Sequence, residues 1–229
     1  MCPVCEKEYG DLHDRRHHAQ TISCHDCGPY NLYSGLQREA SGDDDGDAYG
    51  RHFRENEGTL QKAAELIRNG GILALKATGG YNLVCSPFID RAVKDLRRLK
   101  AREDKPFAVM FGDLDQIRRY CHVTAEEVEL LGSNARPIVL LERKSEIPDI
   151  VEEVYRTSRF IGAFLPSMGV QHLLIDGCGP LIMTSANLSD QTIIIEDDEM
   201  EDVLEARKRS AEGAATRKPA KNSPTFCEK

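Results

Sequence analysis

The chain has 229 residues, of which 40% are hydrophobic, so it can form one or two domains with a real core. Its formal net charge of -8 argues against a protein that coats nucleic acid, because such proteins need a positive surface. No window approaches the roughly 18 apolar residues of a membrane span, and the first residues show no apolar signal region, so we expect a soluble, cytoplasmic protein.

Four of the eight cysteines form two CxxC pairs, Cys2 with Cys5 and Cys24 with Cys27. This arrangement is typical of a four-cysteine zinc site, in which each CxxC turn directs two thiolates at one point. No βαβ pattern flanks either pair, so a thioredoxin-like redox site is not indicated. We predict a ribbon-like module at residues 1–36 that holds a structural zinc ion. The alternative ligands are the histidines of this region, His13, His17, His18 and His25.

Residues 37–58 include the run SGDDDGDAYGRHFRENEG, which is acidic and glycine-rich and has no apolar periodicity. This composition predicts a solvated linker. Asp43, Asp45 and Asp47 alternate as at the start of a calcium-binding loop, but no glutamate follows at the position that closes such a loop.

Residues 59–200 alternate helical and strand patterns, which predicts an α/β domain. Helical spacing follows the possible cap Thr59, and the glycine turn Gly79-Gly80 separates two apolar strands at 72–76 and 81–85. Further strands are predicted at 107–111, 137–142, 160–165 and 181–184, and further helices at 90–101, 113–120 and 125–131.

A basic stretch lies at the junction between the predicted helix 90–101 and the strand 107–111. Its members are Arg97, Arg98, Lys100, Arg102 and Lys105. Pro106 prevents the helix from continuing, and guanidinium and ammonium groups at such a junction provide charge-assisted donors for phosphate oxygens. The stretch predicts a site for an anion, and the alternative is a solvated helix face.

The strand at 181–184 runs directly into Ser185-Ala186-Asn187. Small polar side chains at the carboxyl end of a buried strand are where α/β sheets present groups to ligands, although an ordinary turn has the same residues.

The zinc segment EYGDLHDRRHHAQTISCHDCGP and the motifs GGILALKATGGYNL, LRRLKAREDKPFAVM, RPIVLL, IGAFLP and PLIMTSANLS occur in this order along the chain. Together they resemble the second zinc-finger module and the YrdC-like domain of the HypF family of hydrogenase-maturation carbamoyltransferases. The lysine-arginine motif and the TSAN motif are also similar to those of stand-alone YrdC-type enzymes, which make threonylcarbamoyl-adenylate for tRNA modification.

The resemblance implies a twisted mixed sheet with a basic groove, in which ATP with its Mg²⁺ meets carbamate. It implies phosphate contacts for Lys100, Arg102 and Lys105, and nucleotide contacts for Thr184, Ser185 and Asn187. It implies that the carbamate end is lined by Lys76, Gly79, Gly80 and Tyr81, with Lys76, Lys100 and Arg102 as the catalytic residues. Family members obtain carbamate from carbamoyl phosphate and pass the carbamoyl group to a HypE-type partner, for the cyanide ligand of [NiFe]-hydrogenases.

Family members also have an acylphosphatase-like domain and another CxxC pair upstream, and a kinase-like domain downstream. We therefore expect a fragment with little activity alone. If the two zinc sites of the family share pairs crosswise, each pair here would be half of a site. Residues 201–229 begin as a helix and then become basic and poor in large apolar side chains, which predicts a disordered tail.

Two other functions are compatible with the sequence. One is a threonylcarbamoyl-adenylate synthase, and the other is a non-catalytic module that binds double-stranded RNA through the basic groove. The DRRHHAQ segment favours the HypF-type interpretation because the stand-alone tRNA enzymes lack it.

Overall fold

The computed structural model describes residues 1–24, 27, 48–102, 104–147, 149–187 and 192–215, and of residues 48–57 and 207–215 it describes only the backbone. The described helices are α1 (Pro3–Gly10), α2 (Ala48–Arg68), α3 (Asp90–Lys100), α4 (Leu114–Tyr120), α5 (Ala125–Gly132), α6 (Glu152–Tyr155), α7 (Gly169–Cys178) and α8 (Asp197–Ala215). The described strands are β1 (Leu73–Ala77), β2 (Gly80–Cys85), β3 (Ala108–Met110), β4 (Val139–Glu142), β5 (Phe160–Phe164) and β6 (Leu181–Ser185).

Some predicted features fall outside these residues. The acidic run 37–47, His25 and the part of the predicted disordered tail beyond residue 215 lie there, whereas α8 extends through residues 210–215, which were expected to be disordered. Within the described part, no helix combines the length and the apolar character that crossing a bilayer requires.

The six strands form one sheet in the order β1-β2-β6-β3-β5-β4. Neighbouring strands are antiparallel, except that β3 and β5 are parallel. The predicted α/β class with a mixed sheet is therefore confirmed.

Successive residues of a strand point to opposite faces of the sheet, and helices pack against both faces. Leu83 and Cys85 of β2 belong to a core that includes Val93 and Leu96 of α3. Val84, between them, belongs to a second core with residues of α2 and α7. The sheet thus separates two apolar layers, and the α3 side is the one on which the predicted site residues lie.

Helix α2 begins at Ala48, before the Thr59 cap that the sequence suggested. Gly50 and Gly58 lie within it. A glycine inside a helix costs only about 1 kcal/mol, which is too little to end a helix that later packs one face against a sheet. The helix consequently continues through residue 58, where the sequence pattern placed the end of the linker.

Helix α7 had no counterpart among the predicted elements. Its sequence, GVQHLLIDGC, contains two glycines that lower its intrinsic helix propensity. Leu174 and Ile175 are nevertheless buried in the core shared with α2. Burial of this apolar face stabilises the helix, and propensity alone does not reveal it.

Two buried thiols make the fold sensitive to alkaline pH. Burial raises the pKa of Cys85 to about 12 and that of Cys121 to about 12, from the ordinary value of 9.0. The unfolded chain therefore releases these protons above about pH 9, whereas the folded chain keeps them. Since the unfolded state then binds fewer protons, stability falls as pH rises between these values.

We predict that the free energy of unfolding falls between pH 9 and pH 12 with a slope to which each thiol contributes up to roughly 1.4 kcal/mol per pH unit. Cys85→Ala should reduce this slope, as measured by urea unfolding at a series of pH values. Cys178→Ala is the comparison variant: Cys178 is half-buried and burial also raises its pKa, but Cys178→Ala should reduce the slope less than Cys85→Ala does. Equal slopes for Cys85→Ala and the unchanged chain would contradict the prediction.

Candidate functional site

Four cysteine sulfurs converge at the amino-terminal end of the chain. The sulfurs of Cys2, Cys5, Cys24 and Cys27 all lie within 4.8 Å of one another. Adjacent sulfurs are 3.6 Å apart for Cys2 and Cys24, 3.8 Å for Cys24 and Cys27, and 3.6 Å for Cys27 and Cys5. A tetrahedral zinc with sulfurs at about 2.3 Å requires them to lie about 3.8 Å apart. The cluster therefore has the dimensions of a closed four-thiolate metal site.

The thiols of this cluster differ in acidity. Backbone hydrogen bonds from Cys2 and Cys24 lower the pKa of Cys27 to about 6. Burial and the neighbouring thiols raise the pKa of Cys5 to about 12. At neutral pH the cluster thus contains a thiolate beside a protonated thiol, and a bound cation would displace the remaining protons.

Arg16 connects the parts of the chain that carry the two cysteine pairs. Its Nη1 donates to Glu8 Oε2 of α1 at 2.6 Å, and its Nη2 donates to the Ser23 carbonyl oxygen at 2.5 Å. Nη2 also lies 3.8 Å from the sulfur of Cys5. The arginine therefore holds the segment before Cys24 against α1 and brings a positive charge to the sulfurs.

The histidines considered as alternative ligands have other contacts. The ring of His18 stacks on that of Tyr9 with centroids 4.8 Å apart. Nδ1 of His17 lies 3.0 Å from the Tyr9 carbonyl oxygen. Among the described residues the ligand cluster comprises cysteines alone.

A second group of predicted residues lies on the α3 side of the sheet. Lys76 of β1 pairs with Tyr81 of β2, and Leu83 of β2 pairs with Thr184 of β6. Cross-strand partners share a face, and residues two apart on a strand do so as well. Lys76, Tyr81 and Thr184 therefore lie on the same face as the core residue Leu83.

Lys100 joins this face to the carboxyl end of β6. Its ammonium group donates to the Ser185 carbonyl oxygen at 2.6 Å, to the Asn187 carbonyl oxygen at 3.0 Å and to Asn187 Oδ1 at 2.9 Å. The Ser185 hydroxyl donates to the same Oδ1 at 2.7 Å. Lys100 is only 7% exposed, and burial, followed by Arg102 and Lys105, lowers its pKa. The predicted lysine and TSAN motifs thus form one hydrogen-bonded unit.

Arg102 and Lys105 lie in the loop between α3 and β3. Arg102 donates from Nε to the Lys105 carbonyl oxygen at 3.0 Å and from Nη2 to the Pro106 carbonyl oxygen. Its guanidinium carbon lies 4.8 Å from the centre of the Phe107 ring. These bonds occupy two of the five N–H groups of an arginine, and Lys105 is exposed. The loop is therefore ordered by its own backbone and retains donors for an anion.

Arg97 and Arg98 differ from the expectation that all five basic residues face an anion. Arg97 is 5% exposed and donates to the carbonyl oxygens of Glu153, Arg102 and Lys105. Arg98 is exposed and pairs with Asp95 at 2.8 Å. The helical period turns one arginine inward, beneath the loop, and the next outward, away from it. Three of the five residues remain as candidates, Lys100, Arg102 and Lys105.

The glycine turn at Gly79 and Gly80 also contacts a segment that is distant in the sequence, at Ile194. Gly80 has a φ of +124°, and a Cβ there would lie 2.7 Å from the Ile194 carbonyl oxygen. That carbonyl accepts a hydrogen bond from the Tyr81 amide at 2.8 Å. Gly79 is open, since a Cβ on it would meet no atom within 4 Å. Gly80 is thus required for a close backbone contact, whereas Gly79 faces open space.

A cavity of about 490 Å³ opens elsewhere on the molecule. It is lined by Gly112, Asp113, Leu114, Asp115, Arg118, Arg136, Leu165, Pro166 and His172. The antiparallel pairing of β3 with β6 puts the end of β3 beside the start of β6, far from Ser185. None of the predicted site residues lines this cavity.

Comparison with known proteins agrees with this arrangement of finger and sheet. The family model of the Sua5, YciO and YrdC proteins, described as telomere recombination, matches residues 65–211, which is more than half of the chain. The chain belongs to the Sua5/YciO/YrdC family. A second model, described as the HypF finger, matches residues 1–31.

Relatives of the HypF type combine both parts. Carbamoyltransferase HypF of Rhodobacter capsulatus is 38% identical over 208 residues, which are 90% of this chain and 25% of that protein. The crystal structure of full-length HypF in the phosphate- and nucleotide-bound form has a TM-score of 0.73 and 36% identity, and it covers 90% of this chain and 25% of that one. The resemblance predicted from the motifs is thereby confirmed. The chain spans about a quarter of the length of these relatives.

A relative with a different name matches a shorter part of the chain. Threonylcarbamoyl-AMP synthase of Bos taurus is 32% identical over 146 residues, which are 63% of this chain and 52% of that protein. The named relatives are enzymes, and they share a carbamoyl-type chemistry.

We predict that Arg16→Ala lowers zinc affinity about 10- to 100-fold, the usual effect of removing a group that supports a metal ligand. The cause is the loss of the bonds to Glu8 and Ser23 and of the charge beside Cys5. Arg15→Ala is the matched control because Arg15 is exposed. Competition with a chromophoric chelator measures both affinities. The prediction fails if Arg15→Ala and Arg16→Ala have the same effect.

We predict that Lys100→Met destabilises the domain by about 1–3 kcal/mol, because three partly buried acceptors lose their donor. Urea unfolding measures the change. The control is Arg98→Met, on the same helix, whose side chain is 77% exposed and which should change stability by less than about 0.5 kcal/mol. An unchanged stability of Lys100→Met would show that the ammonium does not hold the TSAN segment.

Proposed function

We propose that this chain forms carbamoyl-adenylate from ATP and carbamate. The observation that supports this function best is the hydrogen-bonded unit of Lys100, Ser185 and Asn187. It lies at the end of β6, the strand whose Thr184 shares a sheet face with Lys76 and Tyr81. The unit offers amide and hydroxyl groups beside cations, as a nucleotide requires, and the lysine on β1 offers a separate cation for a small anion. Both relatives with carbamoyl names favour the same chemistry.

In the proposed reaction a carbamate oxygen attacks the α-phosphorus of ATP. A new C–O–P linkage forms, the bond between the α-phosphorus and the bridging oxygen breaks, and pyrophosphate leaves with that bond's electron pair. No side chain has to act as a nucleophile. The protein must hold two anions close together and stabilise the charge that develops on the phosphate.

The basic residues take different roles in this proposal. Arg102 and Lys105 contact the phosphates with the donors that their loop bonds leave over. Lys100 keeps the TSAN segment in place and contributes its positive charge from a buried position. Thr184, Ser185 and Asn187 contact the nucleotide. Gly79 leaves room for the carbamate beside Lys76 and Tyr81, and Gly80 lets the turn approach the Ile194 carbonyl at that end of the site.

Two metal ions enter the proposal in different ways. Mg²⁺ would arrive with ATP as part of the substrate and would neutralise part of the phosphate charge. Zn²⁺ is held by Cys2, Cys5, Cys24 and Cys27, whose sulfur separations suit it, and it stabilises the finger without taking part in the reaction. The zinc ion of the finger is thus not needed for the chemical step at the sheet.

The wider role that we propose follows the HypF-type relatives. Carbamate would be derived from carbamoyl phosphate, and the carbamoyl group would pass to a HypE-type partner for cyanide-ligand synthesis in [NiFe]-hydrogenase maturation. Of these steps, this chain would carry out the middle one, the formation of carbamoyl-adenylate. Because free carbamate decomposes in water, this chain alone should turn over slowly.

The experiment that tests the function is pyrophosphate release from ATP on addition of freshly dissolved ammonium carbamate. Carbamate-dependent release is expected, and its absence at a concentration that saturates ATP binding would overturn the proposal. Bicarbonate with threonine is the second arm. This arm tests the threonylcarbamoyl-adenylate alternative, which the similarity to threonylcarbamoyl-AMP synthase supports.

We predict that Arg102→Ala weakens ATP binding by about 1.5–3 kcal/mol, the range for a lost charge-assisted hydrogen bond. Isothermal titration calorimetry with Mg-ATP measures the change. Arg98→Ala is the matched control because Arg98 is exposed and paired with Asp95. If the two variants bind ATP equally well, the loop has no role in phosphate binding.

A further inference from the structure

Asp197 completes the group around Lys76, although no sequence pattern assigned it to the site. It is the first residue of α8, and its Oδ1 accepts hydrogen bonds from the Tyr81 hydroxyl at 2.8 Å and from Lys76 Nζ at 2.5 Å. The Lys76 ammonium also lies 5.5 Å from the centre of the Tyr81 ring. One carboxylate oxygen thus contacts both side chains proposed to face the carbamate.

The backbone around Asp197 is fixed on both sides. The Ile194 carbonyl accepts from the Tyr81 amide at 2.8 Å, and the Ile194 amide donates to the Ala186 carbonyl at 3.0 Å. Met200, one turn into α8, is 2% exposed in the core. These anchors flank Asp197 and place its backbone beside Tyr81, and its side chain, which is 65% exposed, is held there by the bonds to Lys76 and Tyr81.

The direction of the Tyr81 hydrogen bond is determined by the two groups that make it. Burial and Asp197 raise the pKa of Tyr81 to about 12, so the hydroxyl is protonated at neutral pH. Lys76 and Tyr81 lower the pKa of Asp197, which is therefore ionised and can only accept. The single hydroxyl proton points at Asp197, and the lone pairs of the Tyr81 oxygen remain available as acceptors.

Lys76 offers hydrogen-bond donors, in contrast to the acceptor that Tyr81 offers. An ammonium group has three N–H donors, and one of them goes to Asp197. The side chain is about half exposed, at 51%, so its other donors can reach a ligand. The surface therefore offers donors at Lys76 and an acceptor at Tyr81, side by side on paired residues of β1 and β2.

We propose that Asp197 makes Tyr81 an acceptor for the N–H of the carbamoyl group, and that this pair selects a carbamoyl group over an acyl group of the same shape. The inference rests on the proposed function. The carbamoyl oxygen faces Lys76 and the carbamoyl nitrogen faces Tyr81. Asp197 is a positioning residue, since it acts through the tyrosine.

The selectivity follows from the chemistry of the two ends of the ligand. An acetyl group has the oxygen of a carbamoyl group but a methyl group in place of the NH₂. Its methyl group would remove water from the Tyr81 oxygen without giving a hydrogen bond in return. A site built for a polar group rejects an analogue that leaves its own polar atom unpaired.

Two sulfamate analogues that differ only at this position test the inference. They are 5′-O-(N-carbamoylsulfamoyl)adenosine and 5′-O-(N-acetylsulfamoyl)adenosine, and calorimetry gives the Kd of each for the full chain. The unchanged chain should bind the carbamoyl analogue about tenfold more tightly than the acetyl analogue, the effect of one net hydrogen bond. Tyr81→Phe and Asp197→Ala should each bring this ratio close to one.

The controls separate hydrogen bonding from general damage. Asp197→Asn keeps an acceptor oxygen and should retain most of the discrimination, and Asp198→Ala, at the exposed neighbouring residue, should retain all of it. The double variant Tyr81→Phe/Asp197→Ala should show the same ratio as either single variant, because the two residues act as one unit.

The possible outcomes are distinct. If the unchanged chain binds both analogues equally well, the inference is overturned and the proposed function stands. If Tyr81→Phe or Asp197→Ala keeps the tenfold ratio, the role assigned to that residue is overturned. If neither analogue binds, the nucleotide site itself is absent and the proposed function fails with it.

Discussion

A buried ammonium group governs the site. Lys100 is almost inaccessible to water, and a charge in that position needs polar partners to be tolerated. It finds them in the oxygens of Ser185 and Asn187, so the end of α3 and the end of β6 have to meet. Ala101 then adopts a φ of +48°, which ends the helix and releases the chain into the loop that carries Arg102 and Lys105. The loop and the TSAN segment are consequently neighbours, because Lys100, at the end of α3 next to the loop, binds the TSAN segment.

The partners of these cations are mostly carbonyl and amide oxygens. Arg102 binds backbone carbonyls and Lys100 binds two carbonyls and an amide, whereas Arg97 binds carbonyls and also pairs with the Glu153 carboxylate at 3.3 Å. Neutral oxygens satisfy the hydrogen bonds of a cation without cancelling its charge. The positive field of the loop is therefore preserved within a chain whose net charge is negative, and an anion near the loop would experience it at short range.

Local patterns were sufficient to predict the strands, most helices and the cysteine site, because each depends on residues close together in sequence. The apolar runs at β1, β2 and β6 and the two CxxC pairs are of this kind. The family resemblance implied that Lys100 and Asn187 line the same groove, but the hydrogen bond between them was not predicted. Helix α7 was missed because its two glycines oppose a helix that packing stabilises. Asp197 was missed because an acidic residue in the first turn of a helix is ordinary, and the tyrosine that it meets lies 116 residues away.

The position of Asp197 late in the chain determines when its contacts with Lys76 and Tyr81 can form during synthesis. All six strands are complete by Ser185, so the sheet can form as soon as that part of the chain has left the ribosome. The ion pair between Lys76 and Asp197 can form only later, because Asp197 follows Lys76 by 121 residues. A nascent or proteolytically shortened chain that ends between these points would have its whole sheet and its basic loop, yet the Tyr81 hydroxyl would have no carboxylate to orient it. During synthesis the sheet and the basic loop with Arg102 and Lys105 can thus form first, and the hydrogen bond that orients the Tyr81 hydroxyl forms last.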